Sequence, residues 1–536
     1  MNEPLTFPRL EPGSFERTMH RAHNAYEQVY TNGHIQIGIP EGMSLFVDAM
    51  ARANTEVCVG AQEGDEGKGR IVDNRLYKLV NKIGIKIVNV VRFQGGSNAG
   101  HTLVKDDGTK IALHQVPSGV LYEEAVGIMD SGMVINVEDL RTEVEGVEEI
   151  VGDLRGKLIL SKDAMLNTDL ERAMEVLNRE LSSGKSSGGT GKGMAPTVAG
   201  FYDRTGLGVK DLMAEDWREK LGNRYDTVSN TFSGHQKDLS DMEVPDLKES
   251  KIQKTQVSRK LGTREDFLNR LGEMREWLIQ RDLVKNTYHY HGEIYNDASH
   301  GIMFEGAQAV GLDPHFGRRP DVTVTPTGVM GVQIGTRRPE YSHEYIPDRI
   351  GVGKITYMSS VGAVRMITDS GLERKMHTVQ EINAIQDPAQ RFAALARLVA
   401  NEKGTTTQRP RDICFADLPL LAYNIEAGKI NQLALTHLDV ARSDMPIKVC
   451  THYENMYGEP VAYQPGIENQ ENLTPVYIEL PGWNAQEAAN ARTIEELPEN
   501  AIRYLAFVQA ALGVPITMVT VGPKREAIIE QTSYVA

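Results

Sequence analysis

The stretch Glu56-Val-Cys-Val-Gly-Ala-Gln-Glu-Gly-Asp-Glu-Gly-Lys-Gly69 joins a short apolar run to a glycine-rich turn. The run Glu56–Gly60 predicts a buried strand, and the glycines after it let the backbone approach a phosphate closely. Lys68 adds a point charge to the turn. The turn is not a Walker A loop, because Gly69 stands where that motif has serine or threonine. The stretch therefore predicts an α/β fold with a phosphate-binding turn, and a purely structural turn is the alternative.

Two carboxylates, Asp65 and Glu66, lie inside this turn. A carboxylate next to a phosphate is repelled unless a metal ion or a proton transfer requires it. Their presence favours a catalytic turn over a structural one.

A second glycine-rich turn follows a second apolar run. The run Ile85–Val91 predicts a buried parallel strand, and Gly95, Gly96 and Gly100 follow it in a turn that ends at His101. A lone histidine is most often structural, but at a glycine-rich strand end it could act as a general acid to a leaving oxygen.

The rest of the chain alternates helical and apolar patterns. Helices are indicated at Phe15–Val29, Ala164–Leu181 and Thr263–Arg281. Further strands are predicted at Gly301–Phe304, Leu433–Leu435 and Ile516–Val521. We expect an N-terminal extension over residues 1–54 and one catalytic domain over residues 55–536. That domain would have a large, mainly parallel central sheet flanked by helices and a longer, helical insertion around residues 208–300.

Composition limits the partners. The 536 residues include 58 basic and 73 acidic side chains, for a net charge of −15, which argues against a broad surface for nucleic acid or anionic membrane. No apolar run reaches the ~20 residues that span a bilayer. The three cysteines form no CxxC pair, so neither a disulfide framework nor a zinc site is expected. We therefore expect a cytoplasmic location.

With GDEGKG followed by QGG-x-NAGHT, the chain resembles the adenylosuccinate synthetase family, and the resemblance covers residues 55–536. Further matching segments follow in order: Gly189-Thr-Gly-Lys-Gly193, Phe304-Glu-Gly-Ala-Gln308, Gly404-Thr-Thr-Thr-Gln-Arg-Pro-Arg411, Thr436-His-Leu-Asp439, Leu480-Pro-Gly-Trp483 and Gly522-Pro523. The resemblance implies a P-loop-like, GTP-binding ligase fold. It also implies ligation of L-aspartate to inosine monophosphate (IMP), driven by GTP and Mg²⁺ through a 6-phosphoryl intermediate.

The resemblance assigns roles to individual residues. Asp65 matches the catalytic base and, with Gly100, the Mg²⁺ site, and His101 matches the acid at the leaving β-phosphate oxygen. Lys68 and Gln308 complete the catalytic set. The residues that would hold GTP are Gly64, Glu66, Gly67, Lys68, Gly69, Gly100, Thr102, Arg411, His437, Asp439 and Gly522.

Two further sets belong to the other substrates. The residues that match the IMP site are Asn98, Thr190, Arg204, Gln308 and Thr323. Arg204 resembles an arginine that reaches the 5′-phosphate across a subunit interface, which implies a homodimer. The residues that match the aspartate loop are Thr406, Thr407 and Arg409. Asp439 resembles a carboxylate that reads the N1 and 2-amino hydrogens of guanine and so rejects ATP.

The chain departs from the family pattern at five positions. The family has tryptophan, histidine, lysine, glycine and a basic residue where this chain has Glu63, Ser97, His437, Gln408 and Asp412. The segment Val361–Thr368 matches only loosely. The loss of lysine beside the base-reading aspartate puts strict use of GTP in question, and Gln408 bears on the shape of the aspartate pocket.

Three other interpretations stay open. The chain could act on another purine nucleotide, as the type that makes 2-aminoadenylosuccinate does, although that type lacks the catalytic aspartate that Asp65 matches. It could use ATP as phosphoryl donor, or it could be an inactive nucleotide-binding regulator. Two further patterns are not assigned a function. The segment Lys185–Lys192 does not fit the P-loop motif. His289 and His291 could form a metal-binding pair on a strand, but they are expected on a solvated surface.

Overall fold

The computed structural model describes residues 15–33, 35–37, 54–104, 109–182, 190–250, 253–359, 366–403, 410–466, 470 and 472–531. Its strands are β1 Thr55–Gly60, β2 Ile87–Arg92, β3 Gly95–Gly96, β4 His101–Val104, β5 Lys110–Leu113, β6 Ala125–Met129, β7 Met133–Asn136, β8 Leu158–Ser161, β9 Met165–Asn167, β10 Glu243–Ser250, β11 Gln253–Lys260, β12 Val284–Lys285, β13 His300–Glu305, β14 Asp348–Lys354, β15 Met358–Ser359, β16 Ile413–Cys414, β17 Ala416–Asp417, β18 Gln432–Thr436, β19 Ile447–Glu454, β20 Pro460–Val461, β21 Thr474–Leu480, β22 Ile516–Thr520 and β23 Ile528–Glu530.

The helices alternate with these strands along the chain. They are α1 Phe15–Tyr26, α2 Lys68–Val80, α3 Val137–Val151, α4 Asp169–Leu181, α5 Met194–Asp203, α6 Val209–Met213, α7 Trp217–Gly234, α8 Arg264–Gln280, α9 Thr287–Tyr295, α10 Met330–Thr336, α11 Val379–Ala384, α12 Pro388–Val399, α13 Leu418–Ala427, α14 Ala485–Asn490 and α15 Glu499–Leu512. No helix of the described residues is both long enough and apolar enough to cross a bilayer.

One large sheet organises the molecule. Within the described residues it holds ten strands in the order β12-β8-β6-β2-β13-β1-β14-β18-β22-β23, and each neighbouring pair is parallel except β22 and β23. The predicted α/β fold with a mainly parallel central sheet is therefore confirmed. All five predicted strands are present, with bounds that shift by one or two residues.

Strand β1 is buried along its whole length because both faces of the sheet are covered. Val57 and Val59 point into a core on one face, together with α15. Cys58 points to the opposite face, where it meets Ile71 and Leu76 of α2. The alternation of side chains between two covered faces thus explains why Val57, Cys58 and Val59 are all apolar.

Two regions differ from the expected pattern. The helix expected at Ala164–Leu181 begins only at Asp169, since Met165–Asn167 form β9 and Thr168 caps the helix. The segment 208–300 contains the helices α6 to α9 but also the antiparallel hairpin β10–β11, which the charged sequence did not indicate.

The helix expected within residues 1–54 is present as α1, followed by a π-helical turn over Glu27–Thr31. It packs against α13, α15 and β19, and it buries Ala22, Ala25 and Val29 in the main core. The ring of Tyr30 meets Phe507 edge-on, with 6.2 Å between the ring centroids. The described part of the extension is thus integrated into the catalytic domain.

We expect Ala25→Asp to lower the free energy of unfolding by about 2 kcal/mol or more, because it buries a carboxylate without a partner. Asn24→Asp, at an exposed position on the same helix, is the matched control and should change the value by less than about 0.5 kcal/mol. Urea denaturation measures both. Equal, small shifts in the two variants would mean that α1 does not pack as described.

Candidate functional site

The predicted turns meet at one edge of the sheet. Strand β13 pairs in parallel with β1 on one side and with β2 on the other, so the turns after these three strands emerge side by side. Helix α2 also packs against β4, which begins at His101. The structure therefore brings the turn that contains Asp65 and the strand that begins at His101 into the same region.

The first turn folds back on itself. A Cβ atom at Gly60 would lie 2.6 Å from Oε2 of Glu66 and 2.7 Å from the carbonyl oxygen of Gln308, so only glycine fits. The buried Glu66 carboxylate accepts hydrogen bonds from the amide of Gly64 and from Nζ of Lys68, both at 2.7 Å. Gly67 caps α2 in the left-handed region, and Lys68 begins the helix. Glu66 thus shapes the turn and forms an ion pair with Lys68.

Asp65 stands at the tip of this turn in the left-handed region, with φ = 57°. Its half-exposed carboxylate forms an ion pair with Arg411. Arg411 also binds Glu402 at 3.0 Å, and Glu402 in turn binds Lys354 and Tyr357. The predicted base is therefore the exposed end of a mostly buried network of charges.

Burial disfavours a charged Glu402, but Lys354 and Arg411 outweigh it and lower the pKa of Glu402 to about 2. The carboxylate is therefore ionised at neutral pH. An ionised and buried Glu402 fixes the position of Arg411, and through it the resting position of Asp65.

His101 is held from two sides. Nη1 of Arg92 lies 2.9 Å from its Nδ1, and Oε1 of Glu305 lies 3.1 Å from its Nε2. Arginine only donates, so Nδ1 accepts and the proton of a neutral ring is on Nε2. Burial, with a contribution from Arg92, lowers the pKa of His101 to about 4 against the opposing effect of Glu305. Nε2 has no hydrogen-bond partner among the described residues.

Two predicted IMP residues carry buried polar atoms that lack partners. Oδ1 of Asn98 and both amide atoms of Gln308 make no hydrogen bond within the described part of the chain. Gln94 links their two turns, because its amide donates to the carbonyl of Ala307 at 2.6 Å and accepts from Thr325 at 2.9 Å. Unpartnered buried amides are costly, so their presence at one edge of the sheet indicates a ligand site.

The remaining IMP residues lie on neighbouring segments. Thr190 is exposed and precedes Gly191, whose amide binds Glu175 of α4. Thr323 is partly buried and is followed by Val324, which packs with Met194 of α5. Arg204 is exposed at the C-terminus of α5, in the left-handed region.

The predicted guanine residues lie together at the ends of β18 and β22. The amide of His437 donates to Oγ1 of Thr520 at 3.3 Å, and Thr436 donates to the carbonyl of Glu66 at 2.8 Å. Burial lowers the pKa of His437 to about 3, so the residue that replaces lysine is neutral. Asp439 lies in the 3₁₀ turn that follows, and Gly522 lies just beyond β22.

Some assignments lie outside the described residues. They are Thr406, Thr407, Arg409, Gln408, the loosely matching residues 361–365 and most of the segment Lys185–Lys192. Gly69 lies in the first turn of α2, Gly100 is exposed directly before β4, and Thr102 lies in β4.

The expectation for the histidine pair is wrong for one member. His289 is exposed, but His291 is fully buried, and both lie on α9 rather than on a strand. Nε2 of His291 lies 2.5 Å from Asp130, and Nδ1 lies 3.1 Å from the hydroxyl of Tyr341. The histidine is structural because its apolar surroundings and two polar partners account for both ring nitrogens.

Three departures from the family pattern have local explanations. Asp412 forms a hydrogen-bonded ion pair with Arg374, so a basic residue there would lose this partner. Ser97 is buried. Glu63 is also buried, beside Arg318 and Asp417, and burial raises its pKa to about 7.

Comparison with known proteins agrees with this geometry. A model of the family described as adenylosuccinate synthetase matches residues 57–529. The chain belongs to the adenylosuccinate synthetase family. An adenylosuccinate synthetase from Cytophaga hutchinsonii is 32% identical over 490 residues, which cover 90% of this chain and 99% of the relative. One from Thermoplasma acidophilum is 32% identical over 486 residues, which cover 89% and 97%.

A solved structure agrees as well. The fully ligated adenylosuccinate synthetase from Plasmodium falciparum superposes with a TM-score of 0.73 at 28% identity, covering 89% of this chain and 100% of that one. The resemblance carried by the motifs is therefore confirmed, and the chain is a ligase of this family.

Sequence reasoning missed the residues that hold the site together. Arg92 and Glu305 flank His101, and Glu402 and Lys354 anchor Arg411. Arg92, Glu305 and Lys354 each end a buried strand of the central sheet, which is a signal that could have identified them in this adenylosuccinate synthetase-like chain.

We expect Glu402→Gln to destabilise the fold by about 3–5 kcal/mol at neutral pH, because it leaves Lys354 and Arg411 buried without their carboxylate. The folded-state pKa of Glu402 is depressed, so its contribution is full above pH ~4.5 and is lost as the pH falls toward about 2. The stability difference between wild type and variant should therefore shrink as the pH falls. Urea midpoints measured from pH 7 to pH 3 test this.

Glu219→Gln, at an exposed position of α7, is the control for this acid titration. Its difference from wild type should stay near zero across the range. A constant difference for Glu402→Gln would show that folding does not lower the pKa of this carboxyl.

Proposed function

We propose that this protein joins L-aspartate to IMP with hydrolysis of GTP, giving adenylosuccinate, GDP and phosphate through 6-phosphoryl-IMP. The observation that carries the proposal is the set of unpartnered buried atoms on Asn98 and Gln308, which line the same sheet edge as the phosphate-binding turn. Family membership supplies the reaction class.

The first step is phosphoryl transfer. Asp65 removes the N1 proton of IMP, and the 6-oxygen attacks the γ-phosphorus of GTP while the bond to the β-phosphate oxygen breaks. The amides at the start of α2 and Lys68 bind the phosphates. His101 is neutral in the free protein, so it donates a hydrogen bond from Nε2 to the leaving β-phosphate oxygen.

In the second step the aspartate nitrogen attacks carbon 6 and displaces phosphate. Thr406, Thr407 and Arg409 are proposed to hold the aspartate, with Arg409 on a carboxylate. Arg411 is paired with Asp65. The catalytic cycle therefore requires Arg411 to release Asp65 when nucleotides bind, and Glu402 keeps Arg411 within reach.

Mg²⁺ is proposed as the cofactor. The Asp65 carboxylate and the Gly100 carbonyl supply hard oxygen donors, which this ion prefers, and both residues are exposed at the site. The ion would neutralise charge on the phosphates. Asp65 and Gly100 therefore fit the group, provided that Arg411 releases the Asp65 carboxylate. We also propose a cytoplasmic location, since Cys58, Cys414 and Cys450 are buried free thiols.

We expect purified protein to form adenylosuccinate from IMP, aspartate, GTP and Mg²⁺, followed by the near-ultraviolet spectrum of the product. Asp65→Asn should reduce kcat by about 10²–10⁴-fold, because it removes the general base. GTP binding by the variant is the control for folding. Unchanged turnover in Asp65→Asn would refute this role, and turnover of a guanine nucleotide in place of IMP would favour the 2-aminoadenylosuccinate reaction.

We further propose that two chains form a homodimer in which Arg204 completes the neighbouring site. Arg204 lies beside two exposed aromatic side chains, Phe201 and Tyr202, which are 47% and 69% exposed. An exposed aromatic pair next to an arginine is typical of a protein interface. The proposal explains why a residue matched to a 5′-phosphate stands on the surface of one chain.

Mixing inactive Arg204→Leu and Asp65→Asn chains should restore up to about 25% of wild-type activity, because half of randomly paired dimers are hybrids and each hybrid has one complete site. Activity of the mixture is compared with that of each variant alone. No recovery after subunit exchange, verified with tagged chains, would show that Arg204 acts within its own chain.

A further inference from the structure

Arg70 connects the phosphate-binding helix to the predicted guanine pocket. It is the third residue of α2, two positions after Lys68. One of its terminal nitrogens donates to the carbonyl of Gly522, in the turn after β22. A guanidinium group carries five N–H donors in a planar fork, so further donors remain for a ligand.

Asp439 lies in the turn after β18, which is next to the turn after β22 that Arg70 contacts, because these two strands pair in parallel. Burial raises the pKa of Asp439, and the positive charge of Arg70 opposes this rise, so the two charges lie within Coulomb range of each other. Among the ion pairs of the described residues, none joins them. Arg442, the other cation near Asp439, is committed to the carbonyl oxygens of Val440 and Ala441 at 2.9 and 2.7 Å.

The turns that contain Asp439 and Gly522 are tied to the phosphate-binding turn and its helix. Thr436 ties the end of β18 to the carbonyl of Glu66, and Arg70 ties α2 to the end of β22. A nucleotide whose phosphates lie at Lys68 would therefore present its base to a donor on one side and to an acceptor on the other.

We infer that Arg70 is a specificity-determining residue that donates to O6 and N7 of the guanine, while Asp439 accepts from N1 and the 2-amino group. This rests on the proposed use of GTP. Arginine is the side chain that most often contacts O6 and N7 of guanine, because its fork matches the two acceptors. Adenine presents an amino group in place of O6, so its donors would face those of Arg70.

The assignment explains how guanine remains distinguishable although His437 replaces the lysine of the family. The neutral His437 has its Nδ1 2.9 Å from Oγ1 of Thr436, whereas Arg70 supplies a positive charge close to Asp439. A site that hydrogen-bonds both edges of a base rejects analogues that leave one of its polar groups unpaired.

The test compares Arg70→Met with wild type using GTP, 7-deaza-GTP, 6-thio-GTP and ITP. The analogue 7-deaza-GTP lacks the N7 acceptor, 6-thio-GTP has an altered O6 acceptor, and ITP lacks only the 2-amino group. Wild type should prefer GTP over 7-deaza-GTP or 6-thio-GTP by about 5–150-fold in kcat/KM. Arg70→Met should reduce this preference to within about twofold while it leaves the ratio of GTP to ITP unchanged.

Two controls isolate the effect. Lys78→Met removes a charge from a surface position of the same helix and should leave all ratios at wild-type values. Asp439→Asn should change the ratio of GTP to ITP and leave the 7-deaza ratio intact. If Arg70→Met fails to fold, Arg70→Lys replaces it and should lose most of the preference, because an ammonium cannot span both acceptors.

An equal loss with every nucleotide would overturn the inference, since it would place Arg70 on a phosphate or in a purely structural role. Calorimetric binding of GDP and 7-deaza-GDP repeats the comparison without turnover. A protein that binds these diphosphates with the expected ratio but forms no adenylosuccinate would refute the proposed reaction and support the role of Arg70. An unchanged binding ratio together with normal turnover would refute the role of Arg70 and support the proposed reaction.

Discussion

The parallel pairing of β1 with β13 and β14 is the constraint on which the rest of the site depends. Because hydrogen bonds hold β1 on both sides, the turn after it emerges between two other turns, at the crowded edge of a sheet. Gly60 has no space for a Cβ atom there. The chain folds back after it, so that the Glu66 carboxylate accepts a hydrogen bond from the amide of Gly64 in the same turn. The phosphate-binding turn, the Gln308 segment and the anchor of Arg411 are all consequences of this crowding.

The charged side chains of the site are paired with one another. Asp65 is bound to Arg411, Lys68 is bound to Glu66, and His101 lies between Arg92 and Glu305. Each pairing reduces the cost of holding a charge or a polar group away from water. Substrates would replace some of these partners. Binding would therefore exchange one set of ion pairs and hydrogen bonds for another and would not create unpaired charges.

Burial decides the protonation states around this site. It makes the histidines at positions 101 and 437 neutral, and it raises the pKa of Glu63 to about 7. Glu402 is equally buried but stays ionised, because two cations contact it. The pKa values of Glu63 and Glu402 differ because the two carboxyl groups have different partners, and not because one is buried more deeply than the other.

The sequence by itself determined five of the ten strands described in the central sheet, the two glycine-rich turns and the family, because apolar runs and glycine spacing are local properties. The tertiary structure alone decided which charges meet: Glu402 contacts Lys354 from 48 residues away, and Asp130 contacts His291 from 161 residues away. It also decided that Met165–Asn167 form a strand, since pairing with β7 outweighs the helical pattern that continues after it. Local periodicity carries no information about such partners, because the sheet order places them together only after folding.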